Sequence, residues 1–281
     1  MAWSQNSVGA FKDIQKIKRN RIKSVTKWCY LSNLSTDTVR SLFSEFDTAG
    51  RVIKEISYAN TGEETSAFNY LYDDFGDLIL LEWVDPFIPS IDSKEVYTYD
   101  RTAHTSEKRT TGNNEFVKPE RTVCRYNREG RLLEEMTWIN DTIADTRNIY
   151  RYNRKGLVQE KIILKLRDGY IPRSNCTYKY DRKNRLIKEV HFQPEGELYY
   201  SVFRRYDDRE HSTELLTVQG EVSSHYKHWY DKDNDEIKWS NLNSGFVFIL
   251  KYDSNKNLTE SLYYDEKGKL TGIHKYTYEY R

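Results

Sequence analysis

An aromatic residue followed by Asp or Asn recurs along almost the whole chain, and this period constrains the fold more than any local motif does. The anchors are Phe46, Tyr72, Tyr99, Tyr126, Tyr152, Tyr180, Tyr206, Tyr230 and Tyr252, with Tyr278-Glu279 closing the series. Successive anchors lie 22 to 28 residues apart. Self-similarity at such a period marks an architecture built from one repeated supersecondary unit. A second aromatic often stands two residues earlier, as Tyr70, Tyr97, Tyr150, Tyr178 and Tyr276 do. Residues i and i+2 share one face of a strand, so these pairs predict a one-sided aromatic column. Recurrence in unit after unit assigns that column to structure rather than to ligand stacking.

Four residues past the anchor stands a turn residue: Gly50, Gly76, Gly130, Gly156, Asn184 or Asn234. Glycine and asparagine accept the positive φ that tight hairpins require. The units at Tyr99, Tyr206 and Tyr252 carry Ala103, Glu210 and Lys256 there instead. The Asp or Asn after the anchor is placed to accept hydrogen bonds from the turn backbone. An aliphatic resumes the buried face two residues on, at Val52, Leu78, Leu132, Val158, Leu186 and Leu258. Second turns fall at Gly62, Gly196 and Gly268. Each unit thus reads as two or more antiparallel strands. The segment from Phe11 to Lys23 spaces Phe11, Ile14, Ile17 and Ile22 as a helix does, but Arg19 to Ile22 also matches the repeat and reads as a degenerate first unit. Residues 1–15 are read as an N-terminal segment and 16–281 as one repeat domain.

The run Tyr70-Leu71-Tyr72-Asp73-Asp74-Phe75-Gly76-Asp77-Leu78 resembles the YD repeat of the RHS family. Arg125 to Leu132 and Lys179 to Leu186 are similar to it. The resemblance implies β-hairpins that add edge to edge into a spiralling sheet, which in long arrays closes into hollow toxin shells. The expected fold is therefore all-β, a twisted antiparallel sheet or spiral of about ten hairpins at two strands each, with a β-propeller as the alternative. The units are too few for a large cocoon, and a short free-standing scaffold follows. The Lys- and Asn-rich style of the repeats is similar to that of exported proteins of Bacteroidota-type bacteria.

Composition narrows the function classes. Forty-four Lys and Arg against 43 Asp and Glu leave a net charge of +1, so no overall field draws the chain to nucleic acid. Aromatics at 14% and charges at 31% suit half-buried strands with rings on one face and charges on the other. No run approaches the ~18–20 consecutive apolar residues of a membrane-spanning helix, and no transmembrane segment is expected. Met1-Ala2-Trp3-Ser4 lacks a signal peptide's basic start and apolar stretch. That leaves an exported protein whose signal was removed, placed in the periplasm or at the cell surface, or a cytoplasmic one. Cys29, Cys124 and Cys176 lie far apart without metal-ligand spacing and read as buried free thiols.

No nucleophile elbow, P-loop or dinucleotide fingerprint is present, so neither a cofactor nor an enzymatic activity is expected. His225 and His228 read as surface residues, while His104, His191, His211 and His274 stand isolated in the sequence. Carboxylates fall at turns or alternate with Lys and Arg, as cross-strand charge pairs do. The basic stretch from Lys12 to Lys27 reads as an edge strand guarded by positive charge. The irregularities are the candidates for partner contact: Pro86, Phe87, Ile88 and Pro89 in a proline-marked loop, and Phe246 and Phe248 in a run of high β-propensity. The functional expectation is a non-catalytic scaffold that binds envelope proteins through sheet edges or these loops, in one version an accessory or plug subunit of a type IX secretion complex. The alternatives are a carbohydrate-binding module using Trp83, Trp138 and Trp239, which would take polysaccharide, and a fragment of an RHS-type toxin shell.

Overall fold

The computed structural model describes residues 14–30, 38–89, 92–112, 119–166 and 171–281. A short helix, α1 (Ile14–Arg19), precedes β1 (Ile22–Tyr30), β2 (Val39–Phe46), β3 (Val52–Tyr58), β4 (Glu64–Tyr72) and β5 (Leu78–Val84). Then come β6 (Ser93–Asp100), β7 (Thr105–Gly112), β8 (Glu120–Tyr126), β9 (Leu132–Ile139) and β10 (Ile143–Tyr152). They are followed by β11 (Val158–Lys165), β12 (Ile171–Tyr180), β13 (Leu186–Phe192), β14 (Leu198–Tyr206) and β15 (Ser212–Gln219). The last are β16 (Glu221–Tyr230), β17 (Glu236–Asn241), β18 (Val247–Tyr252), β19 (Leu258–Tyr264) and β20 (Leu270–Tyr280).

The repeated hairpin forms because its turn is chemically self-sufficient. Asp47 Oδ1 accepts from the backbone N–H of Ala49 and of Arg51, both at 2.9 Å. The same pair of bonds recurs at Asp73, Asn127, Asn153, Asp181, Asp231 and Asp253. A carboxylate or amide oxygen therefore satisfies turn donors that the ladder cannot reach. The pairing register slips by one residue at the anchor itself, as between Arg151 and Tyr152 and between Lys179 and Tyr180. A bulge of this kind re-aims the side chain and sharpens the local twist.

The re-aimed ring then ties one hairpin to the one before. Tyr72 Oη donates to the carbonyl of Val52, and Tyr152, Tyr180, Tyr206, Tyr230 and Tyr278 donate to Leu132, Val158, Leu186, Ser212 and Leu258. Over the ring lies a side chain from the previous turn: Arg51 on Tyr72, Arg131 on Tyr152, Arg185 on Tyr206, and His211 stacked on Tyr230 at 4.3 Å. Guanidinium over an aromatic face is worth about 0.5–1 kcal/mol where exposed. The aromatic column is thus a structural ladder of hydroxyl bonds and stacked cations.

Compactness divides the chain into two units. One runs through Tyr97 and includes Thr110–Val117 and Phe246–Arg281; the other comprises Thr98–Arg109 and Lys118–Gly245. In the first, strands pair antiparallel in the order β18, β19, β20, β1, β2, β3, β4, β5, β6. In the second, β8 through β17 pair each with the next. The core of the first unit lies under α1, where Ile17, Ile22, Val25, Phe46, Val52, Leu258 and Tyr276 are buried together. A six-residue helix has no stability of its own; Ile17, 3% exposed, anchors it here. Gly50 makes the approach possible, because a Cβ there would stand 2.7 Å from the Ile14 carbonyl oxygen.

Among the described residues the first strand pairs with the last. β1 meets β20 from Ile22↔Tyr280 to Tyr30↔Ile273 and meets β2 on its other side. This pairing removes the terminal edges that an open array would leave. It corrects the expected fold: the all-β class holds, but a spiral of about ten hairpins leaves its terminal strands as edges, and a propeller parts them into separate blades. It also corrects the reading of the basic segment, since β1 is bonded on both sides and is no guarded edge; Lys12 lies outside the described residues. Among the described residues no helix is long and apolar enough to cross a membrane. A closed sheet can cross with its strands, so the lack of a long apolar helix does not support the expected absence of a transmembrane segment.

Candidate functional site

A cleft of about 700 Å³ opens on one face of the second unit, across β11, β12, β13 and β14. Register builds it. Tyr150 stands opposite Lys161, Lys161 opposite Cys176, Cys176 opposite His191, and His191 opposite Tyr200. Directly opposed residues share a face of an antiparallel sheet, so five side chains form one row across five strands. Tyr178 and Tyr199 complete the polar-aromatic wall.

The centre of the row is a thiol beside an imidazole. Cys176 Sγ lies 2.9 Å from His191 Nδ1 and is 3% exposed. The His191 ring stacks on Tyr200, with centroids 4.0 Å apart and planes 16° from parallel. Its Nε2 faces Glu189 Oε2 at 3.5 Å, and Arg204 Nη1 holds the other Glu189 oxygen at 2.6 Å. A carboxylate at Nε2 favours the tautomer that keeps the proton there, leaving Nδ1 as an acceptor for the thiol. Lys161 closes the other side of Cys176, its ammonium 5.3 Å from the Tyr150 ring centroid. Among the described residues no three or more His, Cys, Asp and Glu side chains gather as a metal-binding group.

The other cysteines differ. Cys124 is buried opposite Glu135, whose carboxylate accepts from Asn148 Nδ2 at 2.7 Å. Cys29 stands opposite His274, whose Nδ1 is bonded to the Tyr263 hydroxyl. All three are free thiols. Three of the four histidines that stand isolated in the sequence are not isolated in space: His191, His211 and His274 each meet a ring or a polar partner across strands or turns. The signal that finds the cleft is register, obtained by folding β12 back on β13 about the Asp181 turn.

The candidate contact residues fall elsewhere. Phe87 and Ile88 are 61% and 50% exposed in the β5–β6 connection, with Pro86 and Pro89 also exposed. Asp85 Oδ1 accepts from the N–H groups of Phe87 and Ile88, so this loop has its own turn chemistry. Phe246 is exposed just before β18, whereas Phe248 packs edge-on against Tyr263 at 4.6 Å. The three tryptophans of the carbohydrate reading are engaged within the sheet: Trp83 opposes Phe68, Trp138 carries Arg121 over its ring, and Trp239 meets Tyr226 edge-on.

No family model matches the chain, and no curated protein matches it. The resemblance to YD repeats is thus unsupported by any family, and the toxin-shell reading goes with it. The scaffold reading, with its secretion-complex version, loses the terminal sheet edges it invoked, because those strands are paired with each other. Among solved structures, the chain is similar to a porin-like protein from Bacteroides uniformis at 11% identity and a TM-score of 0.41, covering 92% of this chain and 97% of that one. It is also similar to a porin-like protein from Bacteroides vulgatus at 11% identity and a TM-score of 0.33, covering 92% and 98%.

Proposed function

We propose that the chain is a barrel-forming protein of the cell envelope, placed in the outer membrane, that passes small polar solutes. The single observation that carries this reading is the pairing of β1 with β20. A bilayer core offers no water to unpaired backbone groups, so a sheet survives there only when it has no edge. Antiparallel strands joined by tight turns, as at Asp73, Asn153 and Asp181, are the construction of bacterial outer-membrane barrels. The wall carries both signs of charge: Arg125–Glu134, Arg151–Glu160 and Lys251–Glu260 pair across strands at 2.8 Å. With a net charge of +1, such a wall has no dominant field, and passage should discriminate weakly between cations and anions.

Reconstitution of the purified full chain into planar lipid bilayers tests the reading. Stepwise conductance with weak ion selectivity is the expected result. A protein that partitions entirely to the aqueous fraction of the producing cell and leaves bilayers electrically silent would overturn it.

A further inference from the structure

We propose that Cys176 and His191 form a nucleophilic thiol–imidazole pair that captures small disulfides in the β11–β14 cleft as a mixed disulfide on Cys176. This goes beyond solute passage and rests on the cleft alone. Three observations converge. The thiol contacts Nδ1 directly, at 2.9 Å, while Glu189 faces the opposite ring nitrogen. Stacking on Tyr200 fixes the ring plane that this contact needs. The pair lines a cleft large enough for a small molecule rather than a sealed core. Charged and titratable groups face the sulfur from every neighbouring strand: Lys161 from β11, Tyr178 from β12, Glu189 and His191 from β13 and Tyr200 from β14. Lys161 in the cleft wall attracts a disulfide that bears carboxylates.

In the step itself the Cys176 S–H proton passes to His191 Nδ1 as the sulfur attacks one sulfur of the incoming disulfide. The disulfide S–S bond breaks, a new S–S bond to Cys176 forms, and the departing thiolate takes the proton from the imidazolium. One thiol and one disulfide yield one mixed disulfide and one thiol, so no further oxidant is consumed.

Oxidised glutathione is a suitable probe, with peptide mass mapping of the three cysteines over time in the full chain. Cys176 should be modified about tenfold faster than Cys124, which is equally buried but has no histidine opposite. His191→Gln should bring Cys176 down to the rate of Cys124 while leaving Cys29 unchanged, and Lys161→Gln should slow it by a smaller factor. A Cys176 that reacts no faster than Cys124 in the unaltered protein would overturn the proposal, as would an unchanged Cys176 rate in His191→Gln.

Discussion

Glu210 holds a left-handed backbone, at φ 75°, in the place where Gly50, Gly76, Gly130 and Gly156 hold it in other repeats. A side chain in that region costs roughly 1–2 kcal/mol, because Cβ crowds the carbonyl oxygen. The ion pair that Glu210 makes with Lys183 at 3.6 Å is exposed on both sides and offsets little of this. Glu210→Gly should therefore stabilise the fold by about 0.5–1 kcal/mol after allowing for glycine's greater freedom when unfolded. The Tyr99 turn supplies the control. There the positive φ falls on His104, at 54°, and not on Ala103, so Ala103→Gly should bring no gain. Urea unfolding of the two variants measures both; equal shifts would contradict the assignment of strain.

At the scale of the element, the hairpin was legible because its chemistry is local. The Asp or Asn bonds reach only two and four residues forward, and the spacing of anchor and glycine displays them directly. The bond from each tyrosine hydroxyl to the preceding hairpin was hidden, since it needs the bulge at the anchor and the identity of the neighbouring strand. A recurrent Arg or His five residues past the anchor, at Arg51, Arg131, Arg185 and His211, was its visible trace. The turn also titrates. Backbone N–H from Arg185, and then its guanidinium, hold the Asp181 carboxyl below its ordinary value of 3.8. A depressed carboxylate contributes stability that is fully present above the unfolded-state value and is lost as pH falls through the folded-state one. Asn127 and Asn153 make the same backbone bonds without a charge. Asp181→Asn should accordingly keep the turn and flatten the acid limb of the thermal midpoint against pH. Parallel curves for the two proteins would contradict this account.

The pairing of β1 with β20 belongs to the whole molecule, and no local signal announces it. β1 reads Ile22-Lys23-Ser24-Val25-Thr26-Lys27-Trp28-Cys29-Tyr30, and its lysines suggest a protected edge. Yet Ile22, Ser24 and Val25 are each 2% exposed or less, and the strand is paired on both sides. Its partner in β20 lies at the far end of the chain, where a repeat predicts only one more hairpin. The Cys176–His191 row was obscure for a related reason: both residues are unremarkable in their own strands and meet only through register. Pairing of the terminal strands also removes the edge-to-edge partner binding that an open spiral implies.

β1 and β20 are bonded neighbours in one molecule, and Thr26 and Thr277, directly opposed across that pair, can report on it. In a chain whose Cys29, Cys124 and Cys176 are replaced by serine, Thr26→Cys with Thr277→Cys places two thiols within the span of a disulfide. Mild oxidation should give an intramolecular bond, read as monomer of faster gel mobility that reverts on reduction. Two thiols that stay free, or that cross-link only between chains, would contradict this pairing.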